Sequence, residues 1–194
     1  METKNNALGT VLLVMDIQPM TMKMIGDNAH DLAGTLRKAI DGARAAGIPV
    51  IYVVVGFRKG FPEIGSGSSK TFARLREAGP MPDLEEPLSV DPSLRPAADE
   101  VVVTKRRVSA FAGSDLEVIL RAHRFDHLVL AGLSTSGVVL STLSEAADKD
   151  YRLSVLSDGC VDPDPEMHNL LMTKHFPRRA EVLTVDQWVG GLPK

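Results

Sequence analysis

A chain of 194 residues with 44% apolar side chains has enough for one hydrophobic core, so it reads as a single domain over residues 1–194. Its net charge of −3, with acids and bases intermixed, excludes the basic surface that a nucleic-acid partner or an anionic membrane selects, and no apolar run approaches the roughly 20 residues that span a bilayer. The opening METKNNALGT lacks the basic flank and apolar core of a signal peptide, and the lone Cys160 cannot form an internal disulfide, so the expected compartment is the reducing cytoplasm.

Val11–Asp16 is a near-continuous apolar run, the pattern of a strand buried on both faces. Asp27–Ala46 then carries Leu32, Leu36, Ala39, Ile40 and Ala43 at helical spacing and closes on Gly47 before Pro49. Val50–Val55, rich in β-branched residues, is a second strand. Phe57–Pro96 differs: Gly, Pro and Ser are frequent, and only Ser69–Ala78 has a helical pattern, so the stretch reads as a long surface excursion of the functional or mobile kind. A strand follows at Val101–Thr104, then a helix at Ser114–His123 with Ser114 as N-cap and Glu117 at the capping-box position.

Next comes a buried strand, Leu128–Ala131, that runs through Gly-Leu-Ser-Thr-Ser-Gly (132–137) into a helix marked by Val139, Leu140, Leu143, Ala146 and Ala147. A tight turn between strand and helix aims several backbone N–H groups at one spot, the makings of an oxyanion or anion site. Arg152–Leu156 is a further strand, Glu166–His175 a further helix and Glu181–Val185 a last strand. Alternating strands and helices predict a three-layer αβα fold, Rossmann-like, with a doubly wound, mainly parallel sheet of about six strands. Ligands in such sheets bind beyond the carboxyl ends of the strands, where Asp16, Lys105 and the 132–137 turn all fall.

These three marks, in this order, resemble the isochorismatase-like hydrolase superfamily, the cysteine hydrolases: VLLVMDIQ ending on Asp16, VVVTKRRVSAF carrying Lys105, and Gly132, Thr135 and Val138 as Gly-x-x-Thr-x-x-Val. The resemblance extends from about Thr10 to Val189. It implies that Asp16 moves protons, that Lys105 pairs with it and orients or polarises the substrate, and that the Leu133–Ser134 peptide is cis. It also implies a homodimer or homotetramer. In most relatives a nucleophilic cysteine stands just before the last Val of the motif; here that position is Gly137.

Each residue also has a plainer reading. Asp16 suits a turn or helix cap, and Lys105, Arg106 and Arg107 suit a solvated basic cluster. Burial would favour a neutral Asp16, while an adjacent ammonium would hold it ionised. Ser134, Thr135 and Ser136 suit turn hydrogen bonding as well as substrate contact, and no histidine beside them in sequence would activate a hydroxyl. Gln18, Phe57, Arg58, Ser109, Phe111 and Leu133 flank the expected cleft and line it or pack near it; Arg58 would attract a substrate carboxylate. Cys160, after the Arg152–Leu156 strand, reads as a small buried hydrophobe. No cofactor is expected and no metal: the zinc-binding stretch of the nicotinamidases corresponds to Val55-Gly56-Phe57-Arg58-Lys59, which has no ligand, and the five histidines are dispersed, with His168 and His175 read as surface or core residues of the last helix.

The expected function is hydrolysis of a small molecule, an enol ether or a C–N bond, by Asp16/Lys105 acid–base chemistry with attack by water. One alternative is a catalytically inactive relative that binds a small molecule or a protein partner. Another is an amidase using Ser134 or Ser136 as nucleophile.

Overall fold

The computed structural model describes residues 9–26, 28–65, 67, 69–77 and 90–193. Its elements in order are β1 (Thr10–Met15), α1 (Pro19–Met24), α2 (Asn28–Ala45), β2 (Val50–Val55), α3 (Lys70–Glu77), β3 (Val101–Lys105), α4 (Leu116–Ala122), β4 (His127–Leu133), α5 (Leu140–Asp148), β5 (Arg152–Val161), α6 (Pro165–Leu170), β6 (Glu181–Leu183) and α7 (Val185–Gly190). The six strands form one sheet in the order β3-β2-β1-β4-β5-β6, parallel at every pairing. This is the doubly wound α/β arrangement that the alternation of patterns predicted.

Period-two alternation divides β1, β2 and β4 between two cores. Val11, Leu13, Met15, Ile51, Val53, Leu128 and Leu130 face α4 and α5. Leu12, Val14, Val50, Tyr52, Val54, Val129 and Ala131 face α2 and α7. Both faces are thereby covered, as all-parallel sheets require. The order of strands reverses between β1 and β4, so the ends of those strands flank the crevice where such folds take ligands.

The seam between β1 and β4 depends on Gly132. Its φ is +145°, and a Cβ there would lie inside the contact envelope of the Met15 carbonyl oxygen, with Met15 C and Cβ only 2.9 and 3.0 Å away. Gly132→Ala is expected to destabilise the fold by roughly 2–3 kcal/mol, through strain and overpacking together. Urea denaturation of the variant checks it, and an unchanged midpoint would refute it.

Several expectations need correction. Phe57–Pro96 is not merely a surface excursion: Phe57, Phe61, Ile64 and Phe72 bury one another in a third apolar cluster, with α3 as its helical part. Ala78 and residues 79–89 of that stretch lie outside the described residues, as does Asp27 at the start of the second predicted element. α4 begins at Leu116, not Ser114, and Glu117 is bonded to Lys149 at 2.6 Å instead of closing a capping box. β5 runs ten residues, well past Leu156, so Cys160 lies inside the strand, paired in register with Gly132. The last strand ends at Leu183, and the residues after it form α7, capped by a reciprocal Thr184–Gln187 box. The helix predicted at 166–175 is α6 continued by a π-helical turn over Leu171–His175.

Candidate active site

At the carboxyl end of β1 the chain must turn sharply while keeping a polar side chain at the sheet rim. Asp16 does so with φ +56°, a left-handed conformation that Asp tolerates better than most residues. Its N–H donates to the Val53 carbonyl at 2.8 Å, and its carbonyl accepts from the Thr21 hydroxyl of α1. Gln18 is buried and clasps the end of β2: its Nε2 donates to the Val55 carbonyl at 3.2 Å and its Oε1 accepts from the Val55 N–H at 2.8 Å.

Lys105, the last residue of β3, is only 2% exposed. Its Nζ donates to Asp16 Oδ2 at 2.9 Å and to the carbonyls of Arg107 and Val108 at 3.0 and 2.7 Å. Three acceptors match the three N–H bonds of an ammonium. The other carboxyl oxygen, Asp16 Oδ1, is buried and has no hydrogen-bond partner among the described residues. Burial drives the Asp16 pKa up, against the pull of the Lys105 charge and its hydrogen bond, from the ordinary 3.8 to about 6.

Facing this pair is the turn after β4. The Leu133–Ser134 peptide is cis, and Thr135–Val139 form a π-helical turn that leads into α5. At least three of the turn's amides are engaged within the protein: Ser136 N–H donates to Asp162 Oδ2 at 2.6 Å, and Gly137 and Val139 N–H both donate to the Ser134 carbonyl at 3.2 Å. Thr135 is fully buried, its hydroxyl 2.8 Å from His168 Nδ1 of α6, and burial lowers the His168 pKa. A Cβ built on Gly137 would meet only Ser134 Oγ, at 2.7 Å. The backbone at 137 therefore admits a side chain once that hydroxyl rotates away.

Asp16, Lys105, Leu133, Ser134 and Gly137 line one cleft of about 250 Å³, together with Met20, Thr21, Val55, Thr71, Phe72, Arg107, Val108, Val138 and Pro163. The other candidates stand outside that lining. Phe57 is buried against Phe61 and Phe72. Arg58 pairs with Glu63 at 2.7 Å. The Ser109 hydroxyl donates to Glu145 at 2.6 Å, and Phe111 stacks on Tyr151. Gln18, Thr135 and Ser136 hold the backbone around the cleft through the bonds given above. Sequence reasoning passed over Arg107, Phe72, Val138 and the His168 and Asp162 partners of the turn. Arg107 was hidden in a basic run; only its even spacing from Lys105 along the chain hinted that the two share a side.

Cys160 is buried in β5, and burial pushes its thiol up to about 12, so it stays protonated. Among the described residues no three His, Cys, Asp or Glu side chains gather to hold a metal, and no helix is long and apolar enough to cross a membrane. A larger cavity of about 540 Å³ opens at the opposite rim, beside the start of β2 and β3, where Arg44 and Glu100 are paired at 2.8 Å and Asp99 is a further acid in the lining. The cleft at the carboxyl ends is where an unsatisfied acid and apolar walls coincide.

Comparison with known proteins agrees with this fold. Residues 10–187 match the isochorismatase domain. The chain is 29% identical to the uncharacterized isochorismatase family protein YecD of Escherichia coli O157:H7, over 96% of this chain and 98% of that one. It is 31% identical to the ureidoacrylate amidohydrolase RutB of Acinetobacter baylyi, over 84% of this chain and 75% of that one. Among solved structures, an isochorismatase family protein from Burkholderia thailandensis superposes with a TM-score of 0.82 at 25% identity, over 95% of both chains.

Proposed function

The chain belongs to the isochorismatase family and is a hydrolase acting on a small molecule; we propose that it works without a covalent step, with Asp16 as proton donor and water as nucleophile. The observation that carries this reading is Asp16 Oδ1, buried in the cleft without a partner. An ionised oxygen left so would cost about 1–3 kcal/mol or more, whereas a carboxylic acid can carry its proton there. Lys105, bonded to Oδ2, directs that proton to Oδ1 and holds the acid toward the cleft. Asp16 then protonates the substrate, at an enol-ether carbon or at the nitrogen of a C–N bond. Water adds to the electron-poor carbon and its surplus proton returns to the carboxylate. The adduct then collapses, breaking its bond to the already protonated nitrogen, or to an ether oxygen that takes the proton given up by the new hydroxyl as it becomes a carbonyl.

Among the described residues that line the cleft, the hydroxyls are those of Ser134, Thr21 and Thr71, and there is no thiol. Gly137, which we take as the position of the family's cysteine, has no side chain, and its neighbour Val138 presents only methyl groups to the cleft. Ser134 lines the cleft, but the nearby His168 is bonded to Thr135 instead. The amidohydrolase activity named for the RutB relative supports C–N bonds as one substrate class. The same reading takes the chain as one domain that needs no metal, since Val55–Lys59 offers no ligand, and that assembles as a homodimer or homotetramer.

Intact-mass spectrometry during turnover of small ureides, amides and enol-pyruvyl ethers tests the proposal. Ammonia or pyruvate is expected to be released with the protein mass unchanged. Gly137→Cys and Val138→Cys are expected to accumulate an acyl adduct from amide substrates, since the thiol would then face the acid. An adduct on the wild-type chain at Ser134 would overturn the non-covalent reading.

A further inference from the structure

The wall of the cleft formed by the turn after β4 is tied down from behind. Ser134 and Gly137 line the cleft, whereas Thr135 and Ser136 between them are held by the segment that follows β5. Asp162 joins the two segments: its Oδ2 accepts from the Ser136 N–H at 2.6 Å and its Oδ1 from the Asp164 N–H at 3.1 Å. Asp164 in turn caps α6, its Oδ1 accepting from the Glu166 and Met167 amides at 3.0 and 3.1 Å. About one helical turn further on stands His168, whose Nδ1 lies 2.8 Å from the Thr135 hydroxyl oxygen.

The contact between Thr135 and His168 carries a chemical constraint. Thr135 is fully buried, and its hydroxyl has no other partner among the described residues. The hydroxyl proton therefore goes to a lone pair on Nδ1, which leaves the ring proton of His168 on Nε2. A second ring proton would turn Nδ1 into a donor, and the Thr135 hydroxyl would have to aim its own proton where no acceptor stands. Burial lowers the His168 pKa from the ordinary 6.5, against the raising pull of Asp162, in keeping with a ring held neutral. Asp162 is the charged group that acts on the ring. The turn itself, residues 134–139, carries no charge, and on α6 the Asp164 carboxylate is engaged in the cap while Glu166 is exposed.

We propose that His168 is a positioning residue of the cleft: as a neutral ring it latches Thr135 and so holds the Ser134–Gly137 wall in place, and as a cation it lets that wall loosen. An open turn would return His168 to its ordinary 6.5, so opening becomes easier as pH falls below 6.5. Lowering the pH thus gives Asp16 its proton but releases the latch. The hydrolysis rate should pass through a maximum and fall again on the acid side, where a lone general acid would give a plateau. This inference rests on the reading of the cleft as the active site, but its first test reads the latch, not turnover.

Amide hydrogen exchange on the full chain, followed by NMR at pH 8 and pH 5 and corrected for the intrinsic pH dependence of exchange, needs no substrate. Protection of the Ser136 and Gly137 amides is expected to be roughly tenfold lower at pH 5, the scale of one buried hydrogen bond, while that of Leu13 in β1 does not fall. His168→Asn sets an oxygen near the place of Nδ1 that takes up no proton, so it should keep the protection and lose its pH dependence. His168→Leu should show the low protection at both pH values. In the pH–rate profile His168→Asn should remove the acid-side fall. Wild-type protection that is equal at the two pH values, a pH dependence that survives in His168→Asn, or an acid-side fall in rate that survives there overturns the proposal. The wild-type contrast decides the matter even if His168→Leu does not fold. Repeating the exchange in Asp16→Asn separates the two readings: a latch that persists with turnover lost supports both, and turnover retained sinks only the proton-donor role.

Discussion

Asp16→Asn is expected to lower turnover by about 10²–10⁴-fold while leaving the fold intact, the usual loss when a positioned general acid is removed. Asparagine keeps the shape and can still accept from Lys105, but it has no proton to give. The pH dependence gives a second signature. The Asp16 pKa is raised by burial to about 6, so the acid form prevails below that value and the wild-type rate should fall as pH rises through it. The linked stability runs the same way. A carboxyl group whose folded pKa exceeds its ordinary 3.8 contributes stability that is complete below 3.8 and is lost as pH passes about 6. Melting curves between pH 4 and pH 8 should therefore slope less in Asp16→Asn than in the wild type. A wild-type rate that climbs through pH 6, or a fully active Asp16→Asn, would contradict the assignment.

Lys105→Met should destabilise the folded chain by about 3–5 kcal/mol near neutral pH, the scale for breaking a buried ion pair from one side. Methionine fills much of the volume, but the Arg107 and Val108 carbonyls lose a donor and Asp16 loses the cation that lowers its pKa. The acid pKa must then rise further, so the penalty should grow with pH: small at pH 5, where Asp16 is neutral in both proteins, and large at pH 8. Guanidinium denaturation at the two pH values measures it. Asp16→Asn/Lys105→Met should recover part of the loss, because no charge is left unpaired, and a double-mutant cycle isolates the coupling. Equal destabilisation at both pH values would show that packing, not charge, holds the pair.

Much of this organisation was legible in the amino-acid order because parallel strands buried on both faces are written as unbroken apolar runs. β1, β3 and β4 each carry an apolar run, and the polar residue that closes it, Asp16, Lys105 or Ser134, marks the rim; the meeting of Asp16 with Lys105 follows. β5 was legible only in part, because Ser157, Asp158 and Gly159 interrupt its apolar pattern although the strand continues to Val161. There the pairing with β4 shifts register between Leu130 and Gly132, a distortion that leaves no mark in the composition. α1 and α7 were too short, at six residues each, for a period of 3.6 to show, although Thr184 and Gln187 spell a capping box. The cleft was the least legible. Arg58, Ser109 and Phe111 looked free in one dimension but are engaged by Glu63, Glu145 and Tyr151, partners brought in by tertiary contacts. Arg107 looked solvated until α3 supplied the ring it lies on.

The close approach of Gly132 to the Met15 carbonyl has a consequence for how the cleft is walled. It brings the two central strand ends into backbone contact, so the strand that carries Asp16 and the turn after β4 sit side by side at the sheet rim. The opposite flank is built differently, from α1 and α3 with an aromatic cluster of their own outside the two main cores. Met20 and Phe72 thus bring to the cleft a wall whose packing is separate from that of the strands bearing Asp16 and the turn after β4.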